Sequence, residues 1–295
     1  MQTAACSPIW RSILFVPPHV ERYVSKACVS GADAVILDLE DGISWRDKAA
    51  ARTAISSAAA TLASHGIDVL VRVGSDLATL DQDLSYCGHA SIAGFVLPKV
   101  ESARQIRHLE RSLLIMHKRQ PLLLPMIESP HALLTISGLL DCESNIAGLA
   151  LGDEDFSTAI GCDPRSETLQ LARQLLVLAA SAQGRASYSL IDSNFSELDN
   201  YRAACRRARA QGLSGGLCIH PAQVPILNEA FAPTAAEIMA AERVLAASAG
   251  DGATSVDGTM VDRPVAARAA ALLRRAKLIA QLEHNKHCDP QPPRS

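Results

Sequence analysis

Short apolar runs recur along the chain, at 13–16, 34–37, 69–73, 94–97, 122–127, 146–151, 187–191 and 217–219. They are nearly continuous rather than alternating, which suits parallel strands buried on both faces. Between them, segments 21–30, 47–64, 103–117, 133–140, 167–183 and 198–211 read as helices. Eight strands alternating with helices predict a closed (β/α)8 barrel, the TIM barrel. A doubly wound open sheet is the other architecture for such a pattern, but no GxGxxG follows the first run to mark a dinucleotide fold.

The pattern changes past the eighth run. Pro233 and Thr234 open a helix, Thr234 and Glu237 having capping-box spacing, and the helix runs to about 249. Residues 250–258 read as a loop with turn chemistry at Asp257-Gly258. A second helix starts near Asp262 and runs to about 283, and the last residues, with three prolines, read as a frayed tail. The expected organisation is a barrel domain over 1–230, a helical extension or lid over 231–284 and a flexible tail over 285–295. The extension cannot belong to the barrel, so it must pack on it or on a neighbouring subunit.

Composition narrows the partners. The 295 residues are 48% hydrophobic and 20% charged, with a net charge of −3. That supports a sizeable core and leaves no basic field for nucleic acid. Aromatics at 4% leave few surfaces for base stacking. No apolar stretch approaches the ~20 residues that span a bilayer, and residues 1–10 lack the pattern of a secretory signal. The eight cysteines are scattered with no CxxC pair, as expected of free thiols in a reducing cytoplasm rather than a zinc site.

The candidate chemistry lies in where polar residues fall. They sit where the predicted strands end: Pro17, Asp38-Leu39-Glu40-Asp41, Arg72, Pro98-Lys99-Val100-Glu101, Glu128, Asp153-Glu154-Asp155, Asp192 and His220. Barrel enzymes build their sites at this rim. Glu128 and Asp155 lie on consecutive strands, and two hard carboxylates completed by water are what Mg²⁺ takes; capping of the following helices is the plainer role for the same residues. The stretch LPKVES at 97–102 echoes LPMIES at 124–129, so spacing does not choose between Glu101 and Glu128. Arg72, a permanent cation among apolar residues, needs an anion beside it, either Asp38 or Glu40 or an oxyanion of substrate. Lys99 has the chemistry for a Schiff base, but a carboxylate-rich rim keeps a lysine charged. Asp262 before Arg263-Pro264 has the position of a helix N-cap, and His220-Pro221 that of a strand end.

At these residues the chain resembles the stand-alone citrate lyase β-subunit-like family, with its citramalyl-CoA and malyl-CoA lyases, in the metal-dependent HpcH/HpaI aldolase superfamily. The matching stretches run in family order: RSILFVP at 11–17, ADAVILDLEDG at 32–42, VRV at 71–73, LPKVES at 97–102, PMIES at 125–129, GDEDF at 152–156, CIHPAQ at 218–223 and GTMVDRP at 258–264. The resemblance implies a barrel with a helical extension, usually a homotrimer. It implies Glu128 and Asp155 as Mg²⁺ ligands, and so selects Glu128 over Glu101. It implies Arg72 on the substrate, and Phe15, Arg22 and Lys26 on the coenzyme A or acyl-carrier portion. Ile191 and Asp192 would line the substrate pocket, and Asp262 would be the general acid/base, delivered into a neighbour's site. Four positions depart from the pattern: Pro18 for a glycine, Gly74 for an asparagine, Gly216 for a lysine, and Ser193-Asn194-Phe195 for a more apolar stretch. All lie at the rim and bear on substrate more than on reaction type.

The expected activity is cleavage of a carbon–carbon bond in a β-hydroxyacyl thioester, with citramalyl-CoA to acetyl-CoA and pyruvate ahead of citryl and malyl thioesters. Glu40 and Asp41 would orient metal-bound waters. The competing readings are a condensing enzyme, with or without a thioesterase step, and a non-catalytic subunit that binds an acyl carrier.

Overall fold

A computed structural model describes residues 8–88, 91–118, 120–139, 145–190, 192–248, 254–256 and 258–287. Strands β1 (Ser12–Val16), β2 (Ala34–Asp38), β3 (Asp68–Arg72), β4 (Ile92–Leu97), β5 (Leu122–Ile127), β6 (Gly148–Leu151), β7 (Ala186–Leu190) and β8 (Gly215–Cys218) form a closed barrel in chain order. Every pairing is parallel, and β8 closes on β1 with Ile13 opposite Leu217. This is the predicted (β/α)8 barrel, with helices between the strands. The near-continuous burial of β2 and β6 explains why their sequences read as unbroken apolar runs.

Ile13, Ile36, Leu70, Val96, Leu124 and Leu217 belong to one buried core cluster with Trp10 and Tyr188. At the end where the strands begin, Arg11 donates from Nε and Nη2 to the two oxygens of Asp33, at 2.8 and 2.9 Å. Trp10 Nε1 donates to Asp68 at 2.7 Å. These polar groups belong to the closed bottom of the barrel, away from the strand ends that carry the candidate site.

Three short helices were not legible as such, Leu77–Leu84, Asp153–Ile160 and Val224–Ala230, and the expected helix over 133–140 is instead two pieces, Pro130–Leu134 and Ile136–Leu139. The echoed motifs also part company. β4 stops at Leu97 and Lys99 takes a left-handed φ of 49°, whereas β5 continues through Ile127. The serines Ser102 and Ser129 then both sit at helix N-caps.

The chain divides into two compact units, one up to Asn228 and one from Glu229 onward. In the second, helix Ala235–Ala247 begins with the expected capping box: Thr234 Oγ1 accepts from Glu237 N at 3.2 Å, and Glu237 accepts from Thr234 N at 2.7 Å. Helix Arg263–His287 packs against it and runs past the expected end near 283. Between them, where a loop was expected, Thr254–Val256 and Thr259–Val261 form a two-stranded antiparallel hairpin. The expected tail lies outside the described residues from 288 onward. Among the described residues no helix is long and apolar enough to cross a membrane.

Candidate active site at the barrel rim

Because all eight strands are parallel, the polar residues at their C-terminal ends share one rim. Asp38 and Arg72, the last residues of β2 and β3, are direct register partners. Arg72 donates from Nε to Asp38 Oδ1 and from Nη2 to Asp38 Oδ2, both at 2.7 Å, and its Nη1 lies 3.2 Å from Glu40 Oε2. Burial would lower its pKa, but Asp38, Glu40 and the field of Glu128 hold it above the ordinary arginine value. The anion required by a buried cation is therefore supplied by the protein itself.

Asp38 is held in turn. Its carboxylate also accepts from Glu40 N at 2.9 Å and Gly42 N at 3.0 Å. A Cβ at position 42 would collide with Asp38 Oδ2, so the tight loop requires glycine there. Phe15 on β1 stands under Arg72, with the guanidinium 4.9 Å from the ring centroid.

Lys99 donates to Glu40 Oε1 at 2.7 Å and Asp41 Oδ2 at 2.6 Å. Burial would lower its pKa, but these two carboxylates raise it well above the ordinary lysine value. A lysine held charged is a poor amine nucleophile, which removes the basis for Schiff-base chemistry. Glu40 is raised by burial, an effect that its Lys99 and Arg72 contacts only partly offset.

Glu128 is different. It is 5% exposed, and neither carboxylate oxygen has a hydrogen-bond partner. Burial first, then the negative fields of Asp155 and Glu40, push its carboxyl up to about 8, against the pull of Arg72 and Lys99. A buried carboxylate without donors is costly unless a cation completes it. Asp155 is exposed in the first turn of helix Asp153–Ile160. Gly152, just before that helix, lies against Glu128: a Cβ there would stand 2.5 Å from its Cγ and 2.9 Å from Oε1. Among the described residues no group of three His, Cys, Asp or Glu side chains could hold a metal. Two carboxylates fit Mg²⁺, which keeps several waters, and do not fit a zinc-type cage. Glu101, the echo of Glu128, is exposed.

Asp153 is 2% exposed and fully engaged: Arg173 Nε donates to Oδ1 at 2.9 Å and Ser189 Oγ to Oδ2 at 2.8 Å. Sequence reasoning missed Arg173 and Ser189, which lie in no motif; the two serines Ser187 and Ser189 in one buried strand were the available signal. Arg173 and Asp153 also line a cavity of about 270 Å³ with Glu154, Arg165 and Asp192.

The remaining candidates are scattered. Arg22 and Lys26 are exposed on helix Glu21–Cys28, and Arg22 stacks over Tyr23 at 4.8 Å. Asp192 accepts from Asn194 N at 2.8 Å, and its Oδ2 lies 3.5 Å from Arg165. Ile191 lies outside the described residues. Asp262 Oδ1 accepts from Val265 N at 3.1 Å, the geometry of an N-cap for helix Arg263–His287. His220 caps the turn Pro221–Gln223 through Nδ1 and stacks on Phe195 at 4.7 Å, a structural role at the end of β8.

Known proteins resemble this chain over most of its length. Residues 11–221 match the family model described as HpcH/HpaI aldolase/citrate lyase. A citrate lyase subunit beta-like protein of Deinococcus radiodurans is 33% identical, covering 89% of this chain and 96% of that one. The mitochondrial citramalyl-CoA lyase of Mus musculus is 30% identical over 92% of this chain and 87% of its own. Among solved structures, the CitE protein of Mycobacterium tuberculosis in complex with magnesium, acetoacetate and coenzyme A superposes with a TM-score of 0.76 at 29% identity, over 92% of this chain and 99% of that one. With the barrel and a match over most of its length, the chain belongs to the HpcH/HpaI aldolase/citrate lyase family and is a lyase of that family.

Proposed function

We propose that the chain is a Mg²⁺-dependent lyase that cleaves a β-hydroxyacyl-CoA, with citramalyl-CoA, split to acetyl-CoA and pyruvate, as the preferred substrate. The observation that carries the reading is Glu128: a buried carboxylate with no hydrogen-bond donor, opposite the field of Asp155. The magnesium-bound relative and the citramalyl-CoA lyase relative support the same assignment.

Glu128 and Asp155 are the proposed ligands of the ion. When bound, Mg²⁺ supplies Lewis-acid stabilisation of negative charge on the hydroxyl and carboxylate oxygens of the substrate's acid end. The reaction itself balances simply. The hydroxyl proton leaves to a base, the bond between the hydroxyl carbon and the thioester α-carbon breaks, and its electron pair becomes a thioester enolate. A proton returned to that α-carbon gives acetyl-CoA, and the other fragment is the keto acid.

Arg72 offers its fixed positive charge to the enolate oxygen. Glu40 and Asp41, tied by Lys99, orient water around the acid end. Arg22 and Lys26 hold the phosphates of coenzyme A, Phe15 its thioester end, and Ile191 and Asp192 the keto-acid side. Asp262 moves the proton, reaching a neighbouring subunit's site in a trimer.

Acetyl-CoA release from citramalyl-CoA, malyl-CoA and citryl-CoA, with Mg²⁺ and with EDTA, tests this. Metal-dependent release that is fastest from citramalyl-CoA, and lost in Glu128→Ala and Asp155→Ala, is expected. Full activity in EDTA overturns the metal scheme.

A further inference from the structure

Asp153 opens the helix that presents Asp155, two residues on. Its carboxylate is almost wholly buried and joins three elements: Arg173 from the helix Glu167–Ala182, Ser189 from β7, and its own helix. Arg173 Nε also lies 3.0 Å from Ser189 Oγ, which closes a three-membered ring of hydrogen bonds. We propose that Asp153, Arg173 and Ser189 form a brace that positions Asp155 for the divalent cation, an inference that rests on reading Glu128 and Asp155 as the metal pair.

The helix needs such an anchor. It has only eight residues, and its N-cap is Gly152, which offers no side-chain cap. Helices this short do not hold themselves. Its first turn carries Asp153, Glu154 and Asp155, and it starts one hydrogen bond from β5, Gly152 N to Ile127 O at 3.0 Å. Mg²⁺ accepts only near-octahedral geometry, so a small drift of an exposed carboxylate is enough to lose it. Only Asp153, of the three acids, is engaged by both oxygens on neighbouring elements, and it fixes the azimuth of the helix and hence the direction of Asp155.

Apolar residues of the same volume would hold these elements together at least as firmly as a buried ion pair. The directional ring makes sense as an orienting device. Two of its members, Asp153 and Arg173, also line the cavity of about 270 Å³ together with Glu154 and Asp192.

Calorimetric titration with Mn²⁺, a reporter of the Mg²⁺ site, reads the proposal without turnover. Asp153→Asn and Ser189→Ala are compared with the native protein and with Glu128→Gln, with circular dichroism to confirm folding. Glu128→Gln is expected to abolish binding. Asp153→Asn is expected to weaken it about 10–100-fold and Ser189→Ala about threefold or more, at unchanged stoichiometry. If Glu128→Gln loses the ion while Ser189→Ala and a folded Asp153→Asn bind as the native protein does, the brace is overturned and the metal pair stands. If Glu128→Gln binds normally, the metal pair is itself wrong and the brace falls with it. Should Asp153→Asn not fold, Ser189→Ala, which removes one buried hydroxyl, decides alone.

Discussion

Asp38 and Arg72 are opposite one another in the register of β2 and β3 and are joined by two parallel hydrogen bonds of 2.7 Å. The pair fixes the plane of the guanidinium, and Phe15 supports its face. A lysine at 72 reproduces the charge but neither the fork nor the stacking. Arg72→Lys is therefore expected to fold and to lose roughly 10²–10³ in kcat, the size of a lost oxyanion contact. Asp38→Ala leaves a buried cation with Glu40 alone and is expected to cost about 3–5 kcal/mol in urea denaturation. A loss below about 1 kcal/mol would mean that Glu40 suffices.

As the proposed ligand, Glu128 would link metal binding to pH. Its carboxyl is raised from 4.5 to about 8, chiefly by burial. A raised carboxyl binds its proton more tightly in the folded chain, so its contribution favours folding below about pH 4.5 and is lost as pH climbs towards 8. Glu128→Gln should remove that slope. At pH 9 without metal the variant should be more stable than the native protein to urea, by on the order of a few kcal/mol, while binding no cation. Because the ligand must be deprotonated, native affinity for Mn²⁺ should rise with pH up to about 8 and then level, with proton release at pH 7 but not at pH 9. Proton release equal at both values argues against Glu128 as a ligand.

The strands were readable because both faces of each are buried, so apolarity runs unbroken over Val69, Leu70 and Val71 or Leu149, Ala150 and Leu151. The rim was readable because, apart from Ser187 and Ser189 in β7, charged and polar residues interrupt that apolarity at strand ends. What escaped was short or local. Leu77–Leu84 is too brief for a clear period, and the acids at Asp153-Glu154-Asp155 looked like the end of a strand when they are the first turn of a helix. The hairpin strands Thr254–Val256 and Thr259–Val261 have three residues each, so only the turn left a mark. The echo between Glu101 and Glu128 is resolved by where each strand stops, which depends on neighbouring strands and not on the six repeated residues.

Gly152 provides a second handle on Glu128. A methyl at this position would stand 2.9 Å from Oε1, with Cγ closer still, so Glu128 must shift to admit it. Gly152 has φ of −91°, which any residue adopts, so Gly152→Ala carries no backbone strain. The expected result is a folded protein, destabilised by about 1–3 kcal/mol through overpacking, whose Mn²⁺ affinity falls at least tenfold. Native affinity in Gly152→Ala would show that Glu128 has room to move without loss of function.

Asp262 caps a helix in the structure and is proposed to move the proton, and one substitution separates the two. Its Oδ1 accepts from Val265 N and starts helix Arg263–His287, which an asparagine does equally well. Asparagine cannot take up and release a proton. Asp262→Asn should therefore melt like the native protein yet lose most of its turnover, by about 10²–10⁴. Asp262→Ala should lose the cap as well, at about 1 kcal/mol. Turnover of Asp262→Asn within about threefold of native would leave Asp262 as a cap and move the proton to another group. Mixing Asp262→Asn with Glu128→Gln subunits distinguishes a site completed by the neighbour. If each subunit lends its Asp262 to the next, mixed oligomers regain activity that neither variant has alone. If the carboxylate served only its own subunit, the pairing of one intact Glu128 with one intact Asp262 could never occur, and the mixture would stay inactive.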